Sequence, residues 1–154
     1  MVDTEFDYGK FILDTNSIYD FILAGNSRFT IHNKSTDGRF TYKVFKASAG
    51  PAYYVSVCYG YEKYMYAGFL AKSEKCVVEY KQGCKGKLNS DSNSIRVLIG
   101  VIRLAKTERL SDNIEVLHFN ECGKCGRELT DPVSIKTGIG PMCAKKLGLK
   151  YLRD

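Results

Sequence analysis

A chain of 154 residues sets one domain, with room for a small appendage, as the starting expectation. Its 44% hydrophobic and 26% charged residues suit a soluble globular core, and no apolar run approaches the length of a membrane span. The formal charge of +6 permits nucleic acid as a partner without requiring it.

The opening Met1-Val2-Asp3-Thr4-Glu5 is acidic rather than apolar, so no secretion signal is expected and the protein is read as cytoplasmic. In that compartment the six cysteines are expected as thiols or metal ligands, not disulfides. Thr15-Asn16-Ser17 before an apolar run and Gly25 behind it predict a short helix. Residues 28–33 and 39–46 alternate polar and apolar around a Lys-Ser-Thr-Asp-Gly turn, which predicts a hairpin. Gly50-Pro51 breaks the chain. Residues 52–59 and 63–70 predict a second hairpin, and 75–81 a fifth strand. After a polar loop at 82–93, Ile95, Leu98, Ile99, Ile102 and Ala105 recur at helical spacing, predicting a helix over 93–108. Residues 113–119 read as a short strand.

That strand leads into Cys122-Gly123-Lys124-Cys125-Gly126. Two thiolates at this spacing reach one tetrahedral ion, and glycine eases the turn between them. Cys143 follows Pro141, so it is expected in the first turn of a helix over 141–147, where the helix end favours thiolate. Knuckle, hairpin and helix in this order make a treble-clef plan, which calls for a fourth ligand. His118, at the end of the preceding strand, is the candidate, closing a set of His118, Cys122, Cys125 and Cys143 around one structural zinc ion. The plainer alternative is a half-buried histidine ending a strand. Cys58 and Cys76 read as buried apolar residues, and Cys84 as a loop cysteine that could substitute as a ligand.

The runs Cys125-Gly126-Arg127-Glu128-Leu129-Thr130-Asp131-Pro132-Val133-Ser134 and Gly138-Ile139-Gly140-Pro141-Met142-Cys143 resemble a phage-enriched, uncharacterised zinc-finger family. Its hallmark is Cys-x2-Cys-Gly-Arg-x-Leu-Thr-Asp-Pro-x-Ser followed by Gly-Ile-Gly-Pro-x-Cys. The resemblance covers about residues 118–147 and implies a zinc-binding phage or prophage protein, working in the host cytoplasm. It implies no activity. Within these runs Thr130-Asp131-Pro132 reads as a turn that sets a hairpin.

A catalytic zinc keeps one position for water and needs a general base nearby. Four protein ligands would close the shell. Were His118 not a ligand, water could enter and Glu121 or Glu128 could act as base. The chain carries no deaminase signature, no Walker loop and no Gly-x-Ser-x-Gly, so a non-enzymatic protein is expected. Eleven tyrosines stand against no tryptophan, most of them at 42–80 with lysines interleaved. Aromatic rings stack on unpaired bases and lysines neutralise phosphates. Tyr42, Lys43, Lys63, Tyr64, Tyr66, Tyr80 and Lys81 are therefore the candidate contacts for nucleic acid, single strands favoured. The alternative is that tyrosine merely fills half-buried sheet faces. A rival functional reading makes the same surface a protein interface, as in a phage inhibitor of a host or defence protein. The expected architecture is α+β: a tyrosine-rich antiparallel sheet with one packed helix in a body over 1–112, and a treble-clef-like zinc module over 113–154.

Overall fold

The computed structural model describes residues 8–72 and 78–149. Cys76 and the start of the expected fifth strand lie outside the described residues. In chain order the elements are β1 (Phe11–Ile12), a 3-10 turn, α1 (Ile18–Ile22), β2 (Asn26–Asn33), β3 (Gly38–Lys46), β4 (Tyr53–Gly60), β5 (Lys63–Lys72), β6 (Val78–Lys81), α2 (Asn93–Lys106), β7 (Ile114–His118), α3 (Pro132–Thr137) and α4 (Pro141–Lys146). The strands form one antiparallel sheet in the order β1-β7-β2-β3-β4-β5-β6. Strands β2 to β6 are a meander, because each connection is short enough to fold back on its neighbour.

Side chains alternate between the two faces of a strand. Along β3, Tyr42 and Val44 are buried while Lys43 and Phe45 are exposed. The buried face carries two helices, not the one expected. Helix α2 lays Ile95, Leu98, Val101 and Ile102 on it. Full burial of each such side chain contributes about 1.5–3 kcal/mol. Helix α1 adds Ile18, Phe21 and Ile22. Buried hydrogen bonds tie both helices to the strands beneath: Tyr42 Oη donates to Ser94 O of α2 (2.6 Å), and Ser27 Oγ donates to Ile22 O of α1 (2.9 Å).

Strand β7, assigned from sequence to the C-terminal module, lies inside this sheet. It pairs with β1 on one side and β2 on the other. His32 of β2 reinforces this junction. Its Nδ1 lies 2.8 Å from Glu115 Oε2 of β7 and its Nε2 lies 2.7 Å from Asp37 Oδ1 of the β2–β3 turn. The hydrogen bond to His32 and the charge of Arg39 hold the Asp37 carboxyl below its usual range.

The expected turn at Thr130-Asp131-Pro132 is instead a helix start. The Asp131 carboxylate accepts from Val133 N (3.1 Å) and Pro132 takes the first helical position, so α3 begins there. Gly138 ends α3 at φ +76°, in the left-handed region, where a Cβ would run into the Phe21 ring and Leu13. Among the described residues, no helix is long and apolar enough to cross a membrane.

Candidate metal centre and nucleic-acid interface

The chain after β7 folds back on itself. Leu129 N donates to Asn120 O (3.0 Å), Cys122 N to Arg127 O (2.8 Å) and Gly126 N to Cys122 O (2.9 Å). Glu121 and Glu128 form a single antiparallel bridge across this turn. Gly126 takes φ +78°, which closes the knuckle. Two further bonds anchor the knuckle: Gly123 N donates to Gly138 O (2.8 Å), and Asn26 N of β2 donates to Gly123 O (2.7 Å). Pro141 starts α4, and Cys143 stands in its first turn.

These anchors bring Cys122, Cys125 and Cys143 together, with sulfurs all within 4.8 Å of one another. Thiolates around a tetrahedral zinc lie about 3.8 Å apart, so the donor set and spacing fit a metal ion. Cys122 and Cys143 are buried and Cys125 is exposed. Burial would raise the Cys122 thiol, but backbone N–H groups of Gly140, Cys125 and Lys124 outweigh it and hold the group below its ordinary value. The Gly140 N–H lies 3.4 Å from the Cys122 sulfur. Cys143 behaves oppositely to the expectation from its helix position. Burial first, and then hydrogen bonds in which the Cys143 thiol donates to the other two sulfurs, push it up to about 12. Crowded thiols resist ionising together; a divalent cation removes that penalty. A cavity of about 310 Å³ adjoins the sulfurs, lined in part by Arg127, Glu128, Met142 and Lys146.

His118 is not brought into this cluster. The register of β7 against β2 turns its ring towards α1, where it is fully buried. Its Nδ1 accepts from Asn120 N (2.9 Å) and its Nε2 donates to Ile135 O (2.6 Å). Phe11 stacks on it at 5.5 Å and Phe21 lies 5.8 Å away. Both ring nitrogens are thus committed to the backbone, which leaves no lone pair for an ion. Burial lowers the pKa of this imidazole, with partial opposition from the Ile135 bond. Among the described residues, no fourth His, Cys, Asp or Glu joins the three cysteines. Cys84 is exposed in the loop after β6, away from the cluster, and Cys58 is buried in β4.

The expected nucleic-acid residues divide between the two faces of the sheet. Tyr42 is fully buried beneath α2, so its ring cannot stack on a base. Tyr80 is half-buried, with its hydroxyl bonded to Ala67 O (2.7 Å) and Leu88 O (2.6 Å), and burial raises its pKa to about 12. These two leave the candidate surface. Lys43, Tyr64, Tyr66 and Lys81 lie on the opposite face, and Lys63 is exposed at the start of β5. That face also presents Phe45 and Tyr54, 55% and 44% exposed, which the clustering of tyrosines and lysines alone did not single out. They are cross-strand partners, and Tyr54 meets Tyr66 edge-on at 6.0 Å. The alternation Tyr42-Lys43-Val44-Phe45 was the signal available for Phe45. Cations rest on rings here: Lys43 Nζ lies 4.1 Å from the centre of Tyr64, and the Arg28 guanidinium 3.9 Å from that of Phe119.

The model of a family described as a family of unknown function (DUF6011) matches residues 118–148, the knuckle through α4. No curated protein and no solved structure matches the chain. The family match and the three-cysteine cluster together fit a metal-binding module of a kind without an assigned activity.

Proposed function

We propose that this chain is a non-enzymatic binding protein of phage type, stabilised by one zinc ion, whose helix-free sheet face takes single-stranded nucleic acid. The carrying observation is the composition of that face. Phe45, Tyr54 and Tyr66 offer rings, while Lys43, Arg28 and Lys81 offer charge beside them. Rings and cations interleaved on one surface suit unpaired bases and their phosphates. The net charge of +6 has the same sign.

Zinc is the ion favoured by an all-thiolate donor set on a Cys-x2-Cys knuckle. Its role here is shape. The knuckle, the bridge across it and α4 follow a treble-clef order, and the knuckle is fastened to β2 through Asn26. The resemblance of residues 118–147 to a phage-enriched family supports the origin and hence a host cytoplasm.

Photocrosslinking with a labelled single-stranded oligonucleotide, followed by peptide mapping, tests this reading. Adducts are expected in peptides of β3, β4 and β5. A rival reading uses the same exposed rings to bind a host or defence protein. It predicts no adduct, and a host protein retained on the immobilised chain after nuclease treatment.

A further inference from the structure

Arg28 and Lys43 are direct cross-strand partners on β2 and β3. Like charges placed directly opposite each other destabilise a sheet. This pair also lines one polar cavity of about 360 Å³, shared with Asn26, Glu121 and Gly126 of the knuckle. Each cation is held by a ring rather than left to sweep solvent, Lys43 over Tyr64 and Arg28 over Phe119. Arg28 is the more telling of the two. Its side chain is 27% exposed, and its Nε lies 3.3 Å from Glu121 Oε1 as an ion pair. Yet that contact is not aligned as a hydrogen bond, and the buried Nε makes none among the described residues. A buried donor without a partner is a cost that a correctly placed acceptor removes.

We infer that Arg28 and Lys43, facing each other across β2 and β3 at the knuckle, form a phosphate-binding subsite. The inference rests on the nucleic-acid reading above and gives it a register. Lys43 shares a row of the sheet with Ser56 and Tyr66, so one backbone phosphate held at this cavity places the adjoining nucleotides over the exposed rings of β4 and β5. A phosphate between the two cations offsets their repulsion and supplies the aligned acceptor that Arg28 Nε lacks. Glu121, 44% exposed, is the internal counter-ion that the phosphate displaces. The knuckle forms one wall, through Gly126, so the metal module and the open face meet at this point.

The test is a titration of the zinc-loaded protein with inorganic phosphate at fixed ionic strength, followed by the NMR resonance of Arg28 Nε–H. A saturable shift is expected. Lys43→Gln should weaken it at least severalfold, Glu121→Gln should strengthen it, and Lys34→Gln in the β2–β3 turn should leave it unchanged. In a parallel oligonucleotide titration, Lys43→Gln should reduce the slope of log affinity against log salt by about one. If phosphate leaves Arg28 unmoved and the salt slope survives Lys43→Gln, the subsite is refuted while the nucleic-acid reading stands. If phosphate shifts Arg28 as described but no oligonucleotide binds, the anion site stands and the nucleic-acid reading falls. Should Lys43→Gln unfold the protein, the Glu121→Gln arm still decides: an unchanged or weaker phosphate affinity overturns the inference.

Discussion

Replacing His118 by alanine separates a metal ligand from a core residue. The substitution removes a fully buried ring. It strands the Asn120 N–H and the Ile135 carbonyl, each of which the imidazole now satisfies at 2.9 and 2.6 Å. An orphaned buried group costs about 1–3 kcal/mol. The packing lost against Phe11 and Phe21 adds a cavity term, and water entering the space would return part of the loss. The expected destabilisation is about 3–5 kcal/mol, a large share of the roughly 5–15 kcal/mol that holds a typical domain together. Bound metal should remain at about one ion per chain, since three thiolates are untouched. His118→Asn, which keeps an amide near the acceptor position, should recover part of the stability. Denaturant unfolding with and without zinc, paired with elemental analysis, reads both quantities. A His118→Ala protein as stable as the parent without metal, yet unable to retain zinc, would show that the imidazole is a ligand and that this account of it is wrong.

Burial holds the His118 imidazole below its usual 6.5, so on acidification the unfolded chain takes up the proton first. This residue's contribution is therefore fully present above pH 6.5 and lost as pH falls below it; urea midpoints at neutral and mildly acid pH, in excess zinc, should decline in that direction. Cys143→Ser should release the ion and loosen the segment from the knuckle to α4, read as loss of amide-exchange protection there, because binding and folding are coupled. Gly138→Ala should cost about 2 kcal/mol or more by thermal unfolding, since it combines a left-handed backbone with a clash on Phe21; a neutral result would discredit the packing described for that turn. Tyr42→Phe should lose about 1 kcal/mol of stability with its bond to Ser94 and leave oligonucleotide affinity untouched, whereas Tyr54→Ala should weaken binding by about 1–3 kcal/mol at little cost to folding.

The strands of the meander and α2 were legible because their periodicities, two and 3.6, are carried by many residues. The knuckle was legible because Cys-x2-Cys spacing alone brings two thiols close together. Three features were hidden for physical reasons. Strand β1 is two residues, Phe11 and Ile12, which form a strand only because β7 offers an edge. Helix α3 depends on Asp131 and Pro132, which serve a turn as well as a helix start, and the distinction lies in the five residues that follow. His118 has ligand spacing, but the pairing of β7 with β2 decides which way the ring points. The tyrosines show the same limit. Alternation groups Tyr42 with Val44 and Lys43 with Phe45; which group the helices cover is a tertiary fact.

The central claim is that a zinc-stabilised sheet presents a face for single strands. Its most direct test is the affinity of the zinc-loaded protein for a labelled single-stranded oligonucleotide at about 50 and about 200 mM salt, with Tyr54→Ala measured alongside. The account predicts binding that weakens steeply between the two salt concentrations and weakens again on loss of the Tyr54 ring. Absence of binding at the lower salt, or an affinity indifferent to both salt and Tyr54, would contradict it.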